Sequence, residues 1–224
     1  MEFLPNIVYH DEKYLLCRKP YALASTWGQG KSFLDSIKNT NTDPDIWAEQ
    51  KTIFGEQGEY GLLNRLDNTT AWLLYFARTL QAKEAYNCLQ KHERITKVYY
   101  AQVYGTPKAQ FWWIDTKIWH HAGDDARMTI EENKGRGQGQ QGTTYREKID
   151  LGNTAREEFC RLRIHITSGI RHQIRVHLAS RGDPLVGDGL YMTQGLRKRY
   201  GKFEYAKEME LISSGIYFDI DSGC

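Results

Sequence analysis

The chain has 224 residues, about 40% of them apolar, enough for one sizeable core and too many for a disordered chain. A mean hydropathy of -0.64, with no apolar run near the roughly 20 residues a bilayer requires, excludes a spanning helix. The net charge of +2 is silent about partners, but residues 156–202 hold ten Lys/Arg against four Asp/Glu, a local +6 that leaves -4 for the rest.

The first six residues carry no basic stretch leading into an apolar segment, so they do not read as a secretion signal, and the cytoplasm is the expected compartment. Cys17, Cys88, Cys160 and Cys224 are widely spaced and form no metal-binding or redox pair, which predicts reduced thiols. Ile7 to Lys19 reads as a strand closed by the Lys19-Pro20 turn. Residues 38–59 are polar and predict loop with a short helix around Trp47. Trp72 to Ala77 is strand-like. Leu80 to His92 places Ala82, Ala85, Tyr86 and Leu89 on one helical face, and Ile95 to Tyr104 is a β-branched and aromatic run stopped by Gly105.

Residues 131–143, rich in Gly, Gln and charge, have little to pack and predict a mobile loop or hairpin tip. From Phe159 to Thr167, Cys160, Leu162, Ile164 and Ile166 alternate with Arg161, Arg163 and His165, the pattern of a strand with one buried and one basic face. Arg171 to Arg181 reads as a short helix ended by Gly182. Strands and helices mix without βαβ alternation, so the expected class is α+β on a mixed, largely antiparallel sheet with flanking helices. No repeat or linker divides the chain, which predicts a single catalytic domain over residues 1–224.

Two stretches could carry chemistry. In Asn64-Arg65-Leu66-Asp67-Asn68-Thr69-Thr70, an Arg two residues before an Asp can hold the carboxylate ionised, ready to act as nucleophile or base; a plain loop ion pair is the commoner use of that pattern. In the second, Ser168-Gly169 leads into a helix with Arg171, His172, Gln173 and Arg175 in its first turns, an arrangement that offers donors to an anion or simply forms a basic surface helix. His172 and His177 are five apart, unsuited to sharing a metal, and no zinc motif accompanies them.

Taken in order, these pieces resemble the RluA-type pseudouridine synthases. IVYHDEKYLLCRKP is similar to that family's first strand and Lys-Pro turn, and NRLDNTT to the motif with its catalytic aspartate. KVYYAQVYG is similar to the strand whose tyrosine packs on the target base, and RMTIEE with GTTYRE to the hairpin that lies over the RNA. SGIRHQIRVHLASRGDPLVGDGLY resembles the arginine helix and its Gly-Asp tail.

The resemblance implies the pseudouridine synthase fold and isomerisation of uridine in transfer or ribosomal RNA. It implies catalytic roles for Asp67 as nucleophile, for Arg65 and Arg175 as cations beside it, and for Tyr99 as the ring that stacks on the base. RNA contacts would come from Arg127, Arg161, Arg163, Arg171, His172 and Gln173. No metal or organic cofactor and no membrane is implied, the protein would act as a monomer, and the target base would be flipped out of its helix. Three departures stand out: Asn64 replaces the usual His, Ala71-Trp72 a Ser-Gly pair, and Ile170 a basic residue. Many relatives carry a small N-terminal RNA-binding module; here the catalytic region begins almost at once, which favours a structured loop such as a transfer RNA arm. A catalytically weak RNA-binding protein on the same scaffold is the alternative.

Overall fold

The computed structural model describes residues 4–28, 30–38, 40–149, 159–200 and 208–219. Backbone contacts divide the chain into two compact units, Met1–Ile95 with Ile212–Cys224, and Thr96–Leu211. Among the described residues no helix is long and apolar enough to cross a membrane.

In the first unit, β1 (Asn6–His10) and β2 (Tyr14–Lys19) form an antiparallel hairpin where a single strand was expected. Asp11 is the reason: its Oδ1 accepts the amides of Lys13 and Tyr14 at 2.8 and 2.7 Å, which turns the chain back. β2 pairs antiparallel with β3 (Ala71–Ala77), and β3 pairs parallel with β9 (Leu211–Phe218) at Ala71↔Ile212 and Trp72↔Ser213. The polar stretch after residue 38 holds a full helix, α2 (Pro44–Phe54), preceded by α1 (Phe33–Lys38), which the composition did not announce. They form because a few apolar side chains reach one core: Phe33 and Trp47 both meet the buried ring of Phe76, at 6.2 and 5.6 Å. α3 (Leu80–Lys91) starts as expected, with Thr79 accepting the amide of Ala82, and buries Tyr86 and Leu89.

The second unit is an antiparallel sheet of β4 (Ile95–Tyr104), β5 (Phe111–His121), β6 (Met128–Thr129), β7 (Gly135–Lys148) and β8 (Phe159–Ile166), in the order β4-β8-β7-β5-β6. The expected loop at 131–143 is therefore mostly strand. Two of its four glycines, Gly135 and Gly139, are explained by Trp119, whose ring lies across β7 and would collide with a Cβ at either position. RMTIEE and GTTYRE flank β5 from opposite sides, through β6 and β7, instead of pairing with each other.

Helix α4 (Gln173–Ser180) packs Val176 against Ile118 and Met128 of the sheet, and α5 (Gln194–Tyr200) seats Tyr200 on Tyr104. The class is thus the expected α+β, mixed and largely antiparallel. Cys17 and Cys160 are free and buried, whereas Cys88 is disulfide-bonded, a correction to the expectation of reduced thiols; Cys224 lies outside the described residues, as do Arg156, Glu157, Glu158 and Lys202 of the basic stretch.

His177 is a fully buried residue of α4, its Nδ1 bonded to the Thr144 hydroxyl at 2.9 Å and its Nε2 without a partner among the described residues. Burial, with Arg181 adding to it, lowers its pKa to about 4 from the usual 6.5. The unfolded chain therefore binds the extra proton first. Stability present above pH 6.5 should drain away as pH falls toward 4, by about 3 kcal/mol. Urea unfolding at pH 7.5 and 4.5 measures this, and His177→Asn should flatten the difference.

Candidate active site

In the first unit, the segment carrying Asp67 is tied down by side chains. Asn64 uses its amide as a strand would: its Oδ1 accepts the Tyr75 amide at 2.7 Å and its Nδ2 donates to the Leu73 carbonyl at 3.3 Å. Ser25 exchanges two hydrogen bonds with the backbone of Leu66, each 2.9 Å. Fully buried Lys19 donates to the carbonyls of Pro20, Leu23 and Asn68 at 3.0, 2.6 and 3.3 Å. The Thr70 amide bonds the Asp67 carbonyl at 2.9 Å, closing a turn that leaves the Asp67 side chain half-buried.

Lys19 is a cation whose charge couples to Asp67. Burial lowers its pKa to about 8, and the Asp67 carboxylate opposes that fall. Arg65, expected beside Asp67, is exposed and pairs with Glu59 at 2.8 Å. Trp72 is half-exposed at a left-handed backbone position (φ 85°), with the Arg18 guanidinium 4.9 Å over its ring.

In the second unit, the Gly-Asp tail forms a clamp on Arg175. Asp188 accepts Arg175 Nε and Nη2 in a two-pronged pair, both at 2.8 Å, while its Oδ1 also takes the amides of Leu190 and Tyr191. The guanidinium lies 5.2 Å over the Tyr191 ring. The Tyr191 hydroxyl meets His172 Nδ1 at 2.9 Å and accepts the Met128 amide at 2.8 Å. One planar cation is thus held in a single orientation, nearly out of water.

Strand register separates the remaining candidates. Tyr99 faces the same side of the sheet as Ile164, Arg146 and Lys97, the side on which α4 lies. Arg163 pairs with Tyr100 and Arg161 with Gln102, so both point to the opposite side; Arg163 engages Glu147 at 3.4 Å. Gln173 is buried, accepting from Ser168 and Ile170 and donating to Thr143 and Thr144, so its polar atoms staple α4 to β7. Arg171 is exposed and donates to the carbonyls of Asp125 and Ala126, and Arg127 pairs with Asp124 at 3.3 Å. Ile170 packs near Ile118 and against Gly142, a core contact in place of the usual cation. Among the described residues no group of three or more His, Cys, Asp or Glu side chains is placed to hold a metal ion.

A family model described as RNA pseudouridylate synthase matches residues 13–180, which include the Asp67 turn, Tyr99 and Arg175. The chain belongs to this family. It is 30% identical over 193 residues to an uncharacterized RNA pseudouridine synthase of Synechocystis, covering 85% of this chain and 55% of that one. It is 26% identical over 236 residues to the dual-specificity RNA pseudouridine synthase RluA of Vibrio vulnificus, covering 97% and 81%. The chain thus spans little more than half the length of several curated relatives. Its fold is that of human RNA pseudouridylate synthase domain containing 1, with TM-score 0.69 and 21% identity over 98% of this chain and 80% of the other.

Proposed function

We propose that this chain converts specific uridines of structured transfer or ribosomal RNA to pseudouridine, with Asp67 as the catalytic carboxylate. Family membership supports the reaction class. The observation that carries the assignment to Asp67 is the immobilised turn around it, where Asn64, Ser25 and Lys19 spend buried polar groups on fixing the main chain that presents a half-exposed carboxylate. A carboxylate held that way is pre-oriented for attack, and ordering it costs nothing at the moment of reaction.

Asp67 attacks the nucleotide at the sugar or at the pyrimidine, and the bond it forms breaks again before the product leaves, which returns the free carboxylate. The C1′–N1 bond breaks, the freed uracil turns, and a C1′–C5 bond forms; C5 gives up its proton while N1 takes one up. No electron is gained or lost, so the isomerisation calls for no redox partner. Tyr99 stacks on the extruded base and Arg175 supplies positive charge held by Asp188. The Arg171 turn contacts phosphates, which position RNA without reading its sequence. Asn64 spends its amide on β3, so its replacement of histidine does not argue for an inactive scaffold.

The test is to incubate the purified chain with bulk transfer and ribosomal RNA tritiated at uracil C5. Tritium release matched by pseudouridine in nuclease digests is the expected result. RNA binding with no release from either pool would leave only a binding protein.

A further inference from the structure

Four Lys and Arg side chains are buried among the described residues: Lys19, Lys97, Arg146 and Arg175. Three have compensation. Lys19 has three carbonyls, Arg175 has Asp188, and Arg146 has Asp183 at 3.6 Å and the Trp112 ring. Lys97 has none: it is 8% exposed and forms no hydrogen bond or ion pair with a described residue. Its pKa is lowered to about 8 by burial alone, with no neighbouring charge contributing.

Its position is informative. Lys97 lies on β4 two residues before Tyr99 and on the same face, in one cross-strand row with Ile166 and Thr144. Its ammonium ends at Gly169, where an added Cβ would stand 3.1 Å from Nζ. Gly169 is exposed and carries no side chain to screen that nitrogen, so an incoming backbone can approach closely. Exposed Arg171 follows on the same turn. A lysine buried along most of its length, with no counter-charge for its ammonium, is costly to the free protein.

We infer that the Lys97 ammonium is a docking point for a backbone phosphate of the RNA, reached beside the bare Gly169 turn. The inference rests on RNA being the ligand. A phosphate brings the full negative charge that the site lacks, which a neutral uracil carbonyl does not.

Lys97→Met and Lys97→Arg, made in the full chain, test it with unfractionated transfer RNA as the probe, titrated between about 50 and about 200 mM salt. Lys97→Met should weaken binding by about tenfold at the lower salt and reduce the log–log salt slope by about one, with an unchanged or raised Tm. Lys97→Arg should keep the parent slope. Unchanged affinity and slope in Lys97→Met would overturn the inference, as would a fall in Tm without a change in slope, the mark of a structural role. Reduced tritium release at saturating RNA with unaltered binding would overturn it too, placing the ammonium on the reacting base. Failure of the parent itself to bind RNA would instead reject the RNA reading.

Discussion

Asp67→Asn should reduce pseudouridine formation by at least about 10⁴-fold while RNA binding and the thermal midpoint stay close to those of the parent. The substitution is nearly isosteric. The turn is closed through the main-chain oxygen of Asp67 and held through Asn64, Ser25 and Lys19, so these bonds persist at neutral pH when the carboxylate is replaced. What disappears is the nucleophile: an amide oxygen cannot form and release the covalent link. A second effect follows from coupling. The Asp67 charge raises the Lys19 pKa against burial, so Asn in its place lets that pKa fall further below about 8 and weakens the hold on the turn at alkaline pH. Tritium release and tRNA binding, measured on the same preparations at pH 7 and 8.5, separate the two effects. Release by Asp67→Asn at a rate near the parent's would reject Asp67 as the catalytic group.

Much of the fold was legible because its strongest elements are periodic in the sequence. β4 has the boundaries that its run of β-branched and aromatic residues predicts, and β8 buries Cys160, Leu162, Ile164 and Ile166 as the alternation requires. The glycine-rich stretch misled because its reason lies elsewhere: β7 lacks side chains where the Trp119 ring covers it, a contact between strands that local composition does not encode. The site was legible as motifs and incomplete as chemistry. Lys19 reads as the first half of a Lys-Pro turn, and only three-dimensional closure puts its ammonium under Asn68 and within the field of Asp67. Asp188 and Tyr191 were visible as a Gly-Asp-x-x-Tyr string. The three-residue spacing, with an Asp able to accept the amide of the Tyr, was the available signal for the clamp on Arg175. The Arg65–Glu59 pair was not legible, because nearness to Asp67 in sequence does not set side-chain direction and Glu59 was within reach.

Asp188→Ala should destabilise the second unit by about 3–5 kcal/mol and abolish measurable activity. The Arg175 and Asp188 side chains are 7% and 1% exposed, so removing the carboxylate takes a two-pronged partner away from a guanidinium in a site that water barely reaches. The same change leaves the amides of Leu190 and Tyr191 without their acceptor, loosening the ring that supports both Arg175 and His172. Stability and function can be separated by removing both charges. Arg175→Met with Asp188→Leu replaces a desolvated pair by apolar groups of similar reach, and it should recover most of the lost unfolding free energy, since such exchanges are often neutral. It should not recover tritium release if Arg175 serves the reaction. Full activity in the double variant would show that the pair only holds α4 to the Gly-Asp tail, and the positive charge used in catalysis would then have to come from another residue.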